Sequence, residues 1–368
     1  MKFITYNDYP GGIYKSQVID VCRFLETTFH VPVELIAFVS IRTYLADRKK
    51  IKGLYRNSTI LPSFPGINNW RKNKQILNLY MLFQKKDTVI TRGVFTAILA
   101  IDSGKFSKIC FDARAAYAAE WKEYLSKESP IIAAGMSELE KQALEQSDFR
   151  MAVSEKLVDY WKENYSYNKN SHVVIPCTID SNLKQKPPKP ELRGQMGVGD
   201  TDILLVFSGS SAGWQSMNDL YKILKSAFNS NSNLKLLLLS KDAPDNEFLN
   251  EFPGRVIHKW VEPEKVQDYL SVADYGLLYR ENSVTNKVSS PVKFAEYLAA
   301  GLSVIISDNV GDYSSFVKEQ KCGMLFDSID WAQLKKLPVE EKERIRKIAV
   351  SRLTKAAYTK EYNQLIKL

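Results

Sequence analysis

The stretch 273–308, ADYGLLYRENSVTNKVSSPVKFAEYLAAGLSVIISD, constrains the fold of this chain more than any other. An apolar run at 275–279 reads as a buried strand, a polar loop follows, Ser290 and Pro291 open a helix, and Gly301 closes it before a second apolar run at 304–306. A strand, a helix and a strand in that order make a unit of a parallel sheet. Ser290 is expected to cap the helix, and Pro291 gives up an N–H that the first turn does not use. The amides and positive dipole end then face the carboxyl edge of the sheet, where a phosphate binds readily. Lys293 in the first turn and Glu296 about one turn further on set a cation and a carboxylate on one face beside that anion site. The same pattern also suits a capped amphipathic helix carrying a solvated charge pair.

SSPVKFAEYLAAGLSVIISD, preceded by ADYGLLYR, resembles the donor-site signature of retaining glycosyltransferases with the GT-B fold, in the family 4 group that includes bacterial surface-polysaccharide enzymes. The resemblance covers nearly the whole chain. It implies an α/β protein of GT-B type, with two Rossmann-like lobes, an interdomain cleft and a C-terminal helix returning to the first lobe. The corresponding division is an acceptor-side domain at 1–185, a nucleotide-sugar donor domain at 186–350, and a final helix at 351–368 packed back on the first domain. In that family a glutamate at the place of Glu296 touches the nucleotide ribose, and the helix start holds the diphosphate. An earlier family glutamate, eight residues before Glu296, is replaced here by Val288, with Glu281 and Asn282 in the neighbouring loop as substitutes.

Taken in order, residues 2–5 read as a first strand, followed by a turn at 8–12 and a helix through 17–24. Gly11 and Gly12 either let backbone approach a ligand or simply make a tight turn; GGIYKSQV loosely resembles the glycine-rich loop that GT-B enzymes place after this strand. A second strand is expected at 33–39. Residues 41–75, with Pro62, Pro65 and Gly66 among basic side chains, are read as a helix plus a mobile acceptor-side loop. Arg92 closes the next strand before Gly93 and is set either to face an anionic substrate or to cap nearby carbonyls. In KICFDARAA, Asp112 and Arg114 follow a short strand at its carboxyl end, where open parallel sheets hold ligands. The segment resembles the fD.R motif of several family 4 enzymes; an internal Asp–Arg pair that fixes the loop accounts for it equally well.

Ser154 is expected to cap the helix after a strand at 151–153, and HVVIPCTID resembles the family's VIPNGVD with Cys177, Thr178 and Ile179 at the usual small positions. Residues 183–194, rich in proline, read as the interdomain connector. The strand at 203–207 leads into SGSSAGWQSM, where Gly209 permits a close turn and Ser210 and Ser211 offer donors to a nucleotide sugar. Asp242 and Asp245 in KDAPDN read as a turn, and no histidine shows metal-ligand spacing, so no metal is expected. The expected cosubstrate is a nucleotide sugar of unspecified base, with no other cofactor.

At 368 residues, with 45% apolar residues, the chain can build two cores. The formal charge is +9 and uneven: Arg48, Lys49, Lys50, Lys52, Arg56, Arg71, Lys72 and Lys74 crowd one stretch with Tyr55 and Trp70. Solvated charge, an anionic membrane surface or lipid-diphosphate acceptor, and nucleic acid are the open readings, and no zinc-finger spacing, Walker loop or basic zipper supports the last. Cys22, Cys110, Cys177 and Cys322 are dispersed among apolar segments and read as reduced packing residues. The opening MKFITYNDYPGG has no apolar core for secretion and no window reaches a span of roughly 20 apolar residues. A cytoplasmic protein, peripheral on the inner face of the membrane, is therefore expected.

The reading that joins these features is a retaining glycosyltransferase that moves a sugar from a nucleotide diphosphate to a glycan or lipid-linked glycan. Lys293, Arg280 and the amides around Ser289 and Ser290 would stabilise the leaving phosphate, and the resemblance implies a front-face mechanism with Glu296 on the ribose. A glycosidase needs a pair of carboxylates about the scissile bond, which the sequence does not display. A nucleotide-sugar epimerase of GT-B architecture and a noncatalytic carbohydrate-binding or assembly protein are the other readings.

Overall fold

Two parallel sheets organise the chain. The structure is a computed structural model that describes residues 1–180, 189–209 and 216–368. These divide into two compact units, Met1–Asp180 with Tyr358–Leu368, and Ser181–Ala357.

In the first unit the described strands are β1 (Lys2–Tyr6), β2 (Glu34–Ser40), β3 (Ser58–Ser63), β4 (Thr88–Arg92), β5 (Lys108–Ala113), β6 (Phe149–Ala152) and β7 (His172–Val174), in the order β3-β2-β1-β4-β5-β6-β7. Their pairings are all parallel. The central strands are buried on both faces, which is why ITY-, LIAFV- and VIT-type runs show no polar alternation. β1 lies between β2 and β4, so the loops that leave β1, β4 and β5 emerge side by side at the carboxyl edge.

Residues 41–75 hold the expected helix, but a strand, a 3-10 turn and the start of a further helix stand where a loop was expected. A helix, Tyr44–Leu54, is followed by the edge strand β3, in register with β2 from Leu35↔Ser58 to Ser40↔Ser63. Pro62 is tolerated because an edge strand needs only one side of its ladder. The 3-10 turn Ile67–Lys72 then buries Trp70 against Phe95, ring centroids 4.9 Å apart. At the other end of the chain, the helix Thr359–Ile366 inserts Tyr362 and Leu365 into this unit's core, with the Tyr362 ring 5.2 Å from that of Phe24.

The second unit contains β8 (Ile203–Ser208), β9 (Leu234–Leu239), β10 (Val256–Lys259), β11 (Tyr275–Leu278), β12 (Ser303–Ile306) and β13 (Gly323–Leu325), ordered β10-β9-β8-β11-β12-β13. The helix Val292–Ala300 connects β11 to β12 and ends, as its sequence indicates, on Gly301 in the left-handed region at φ 83°. The polar loop before it contains a further turn of helix, Val284–Lys287, capped by Ser283. Of the proline-rich connector, residues 183–188 lie outside the described residues, and its far end is a short helix, Glu191–Gln195. Arg193 in that helix donates to the carbonyls of Val272 (2.8 Å) and Asp202 (2.6 Å) and pairs with Asp274 at 3.2 Å. Asp274 is fully buried, and Lys342 meets its other oxygen at 3.1 Å, so two cations and the Leu204 amide compensate its burial. All four cysteines are free thiols.

Candidate active site

In the second unit, Lys293 and Glu296 sit on the first turns of the helix Val292–Ala300 and are both partly buried. The Lys293 ammonium lies 5.0 Å from the centre of the Phe207 ring. Burial lowers its pKa from the ordinary lysine range to about 7, the Arg280 charge adds to the fall, and Glu296 opposes it. Burial raises the Glu296 carboxyl in turn, against the pull of Lys293. Arg280 is itself buried at the end of β11, where its amide donates to Ser307 Oγ at 2.8 Å. Lys293 thus stands in the first turn of a helix within reach of the Arg280 charge, a combination suited to a multiply charged anion. Beside them, at the carboxyl ends of β8 and β9, a cavity of about 260 Å³ is lined by Phe207, Tyr221, Leu238, Ser240 and Asp242.

The helix start differs from its sequence reading. Pro291, not Ser290, occupies the N-cap position, and its own side chain makes no cap hydrogen bond. The Ser290 hydroxyl is 2.9 Å from the hydroxyl of Tyr313, whose ring stacks on Phe294 with centroids 4.0 Å apart. The Ser289 amide donates to the Asn286 carbonyl at 3.1 Å and is thus already used. Gly209 closes β8 with its amide on the Leu239 carbonyl at 3.0 Å, while Ser210 and Ser211 lie outside the described residues. Val288 is buried, and Glu281 accepts from Ser216 Oγ at 3.1 Å. Among the described residues, His, Cys, Asp and Glu side chains form no group of three able to hold a metal ion.

In the first unit, three of the residues singled out in the sequence meet in one charged cluster. Arg92 pairs with Asp8 at 3.5 Å and with Asp112 at 3.7 Å, and Arg114 pairs with Asp112 at 3.2 Å. Arg114 also donates to Gln17 Oε1 at 2.7 Å and approaches Cys177 Sγ at 3.6 Å. Asp112 is nearly inaccessible, and burial raises the Asp8 carboxyl, partly offset by Arg92. An Arg–Asp pair is therefore present within the loop, but as part of a larger alternation of charges at the ends of β1, β4 and β5. Gly11 and Gly12 lie in the turn beside it. Neither has a positive φ, and a Cβ on Gly12 would meet nothing within 4 Å, so the turn itself does not demand glycine there.

Asp8, Gln17 and Tyr117 were not singled out in the sequence. Asp8 obeys the rule that selected Asp112, a polar residue just past a strand's carboxyl end. Gln17 lies in the π-helical turn Lys15–Ile19, a local widening that a sequence pattern does not announce. Tyr117 accepts the Arg114 amide on its hydroxyl at 3.2 Å.

A family model described as Glucosyltransferase 3-like, C-terminal domain, matches residues 220–362. No curated protein matches the chain in sequence. Among solved structures, HepE from Anabaena in complex with UDP superposes with a TM-score of 0.69 at 12% identity, over 100% of this chain and 99% of that one. Sucrose-phosphate synthase from Thermosynechococcus elongatus gives 0.67 at 14% identity, over 100% and 98%. The lipopolysaccharide outer core galactosyltransferase WaaB, in its apo form, gives 0.67 at 17% identity over the full length of both chains. With two parallel sheets and full-length superposition on these proteins, the chain has the GT-B fold.

Proposed function

We propose that the protein is a retaining glycosyltransferase of family 4 type, which transfers a sugar from a nucleotide diphosphate to a glycan or lipid-linked glycan in bacterial surface-polysaccharide assembly. The observation that carries this reading is Lys293, in the first turn of the helix Val292–Ala300, lying within reach of the Arg280 charge. The match of residues 220–362 to a glucosyltransferase-like domain supports it, as do solved complexes of HepE with UDP and with UDP-glucose.

In this reading the diphosphate lies against Lys293, Arg280 and the helix dipole, Glu296 accepts from the ribose, and the cavity beside Phe207 gives the rest of the donor room. The bond from the anomeric carbon to the phosphate oxygen breaks with its electron pair going to the diphosphate. The acceptor oxygen bonds that carbon on the same face, and its proton passes to the leaving phosphate. The protein's contribution is positioning and charge stabilisation, for which fixed cations in a water-poor site are effective. Arg92, Asp112 and Arg114, with Gly11 and Gly12 beside them, are assigned to the acceptor.

The acceptor is placed at an anionic surface on the cytoplasmic side of a membrane. Among the described residues no helix is long and apolar enough to cross one. In this reading attachment is by the helix Tyr44–Leu54, whose basic side chains are exposed.

The test is a panel of UDP-, GDP- and ADP-sugars against polyprenyl-diphosphate-linked glycans, with product anomers read by NMR. An α-linked donor is expected to give an α-linked product, and a β-linked donor a β-linked one. Inversion sinks the retaining assignment; a sugar altered without any acceptor favours an epimerase. Lys293→Ala is expected to lower kcat by about 10²-fold or more with both units still folded.

A further inference from the structure

Glu140 is a fully buried carboxylate in the middle of the helix Pro130–Gln146, and neither the donor nor the acceptor assignment uses it. Its oxygens accept from the amides of Tyr117 (3.1 Å) and Ala118 (2.9 Å), and from the Tyr165 hydroxyl at 2.9 Å. Tyr117 opens a short helix, Tyr117–Glu120, which has no side-chain cap of its own. Glu140 thus does for that helix, from a neighbouring element, what an N-cap side chain ordinarily does.

The segment so held leads directly to the charged cluster. The Tyr117 hydroxyl accepts the Arg114 amide, and it lies 3.2 Å from where a Cβ on Gly93 would be. Gly93, at φ 84°, joins Arg92 to the following helix and donates its amide to the Asp112 carbonyl at 3.0 Å. One tyrosine therefore rests against the backbone next to both arginines, and its own backbone hangs on one carboxylate. We propose that Glu140 is a positioning residue for the acceptor-side cluster, acting through the amides of Tyr117 and Ala118. The inference rests on the reading of that cluster as the acceptor side of a glycosyltransferase.

The ionised form suits this role, because two N–H groups and a hydroxyl converge on the carboxylate and a proton on it would add a donor among donors. Burial opposes ionisation and raises the Glu140 pKa to about 7, the Ala118, Tyr165 and Tyr117 bonds work against the rise, and Glu120 adds to it. The titratable groups around it are Glu120 on the Tyr117–Glu120 helix, itself raised to about 7 by burial with Glu123 nearby, and Tyr160 and Tyr165 on the helix Glu155–Tyr165. The hold on Tyr117 should accordingly strengthen as pH rises through the neutral range.

The experiment compares Glu140→Gln and Tyr117→Phe with the unsubstituted full chain, using, from the panel given under the proposed function, the nucleotide sugar and polyprenyl-diphosphate-linked glycan that the unsubstituted chain turns over fastest. In both variants the acceptor KM should rise about tenfold, while the donor KM and the affinity for UDP stay unchanged. In the unsubstituted protein the acceptor KM should fall as pH rises through about 7; Glu140→Gln should abolish that slope and Glu120→Gln should keep it. Hydrogen exchange at Tyr117 and Ala118 should quicken by about tenfold in Glu140→Gln. A folded Glu140→Gln protein with unchanged acceptor KM and exchange overturns the inference, as does an equal loss for donor and acceptor, which marks a merely structural residue. If the unsubstituted protein yields no acceptor-dependent product with any donor and acceptor of that panel, the glycosyltransferase reading falls and takes this inference with it.

Discussion

Lys293 carries a charge that its surroundings make conditional. An exposed lysine is protonated up to about pH 10, whereas burial beside Arg280 brings Lys293 down to about 7. A diphosphate against the ammonium favours the charged form, so binding above neutral pH must draw a proton from solvent. UDP affinity should therefore fall as pH rises above about 7, by at most about tenfold per pH unit, and calorimetry in buffers of different ionisation enthalpy should record proton uptake. Lys293→Gln should bind UDP more weakly and lose that slope; an unchanged slope would assign the proton elsewhere. The sign for folding is the reverse. With a folded pKa below the unfolded one, the unfolded chain holds more protons between about 7 and the ordinary lysine value, and this residue's share of stability rises with pH across that window. Glu140 acts oppositely, since its raised pKa makes the folded state the better proton binder between the ordinary glutamate range and about 7, and stability from it is lost as pH climbs through that interval.

Between β11 and the helix Val292–Ala300, a single missing methyl sets the packing. Tyr297 is fully buried with its ring over Gly276, where a Cβ would fall 2.4 Å from Cδ2, and its hydroxyl accepts the Ser208 amide at 3.0 Å at the end of β8. Gly276→Ala must push the ring off this bond and is expected to cost about 2–3 kcal/mol, read as a lower midpoint in urea. Tyr297→Phe keeps the ring and strands the amide, at about 1–3 kcal/mol. If Gly276→Ala unfolds at the same urea concentration as the parent, the helix can shift and this account of the contact fails. Such junctions also mark what the sequence could disclose. Buried strands such as β8, β11 and β12 are legible because a run of apolar residues is itself the requirement, and Gly301 is legible because its left-handed φ is a local demand. β3 was not, since STILPS is half polar and owes its place to pairing with β2. Ser290 reads as the N-cap by every local rule, yet that position falls to Pro291, and the Ser290 hydroxyl meets Tyr313 from beyond the next strand, a contact that no local pattern announces. Glu140 is likewise indistinguishable in sequence from Glu138 or Lys141, solvent-facing residues of the same helix; only the approach of Tyr117 makes it different.

At the scale of the molecule, the alternation of strands and helices announced the parallel α/β class, but the strand order decided which distant residues met. Asp8, Arg92 and Asp112 come together because β1, β4 and β5 are neighbours, a fact that no one segment contains. The uneven charge of +9 was plain from the start, and the fold gives it a face. On the helix Tyr44–Leu54, Arg48, Lys49, Lys50 and Lys52 are exposed, Leu45 beside them is 78% exposed, and the Lys50 ammonium lies 5.2 Å from the ring of Tyr9, itself 73% exposed. Basic side chains mixed with exposed apolar ones suit an interface with anionic lipid, where each cation near the surface contributes about 1 kcal/mol and is screened by salt. The full chain should thus bind vesicles containing phosphatidylglycerol at low ionic strength and leave them as salt is raised, with little binding to phosphatidylcholine alone. Replacing Lys49, Lys50 and Lys52 together by glutamine should weaken binding by about 100-fold without altering UDP affinity, because none of the three is among the residues assigned to the donor. Binding that ignores salt, or that survives the triple replacement, would remove this helix as the attachment face; loss of vesicle binding together with UDP binding would show that the replacements had disturbed the fold.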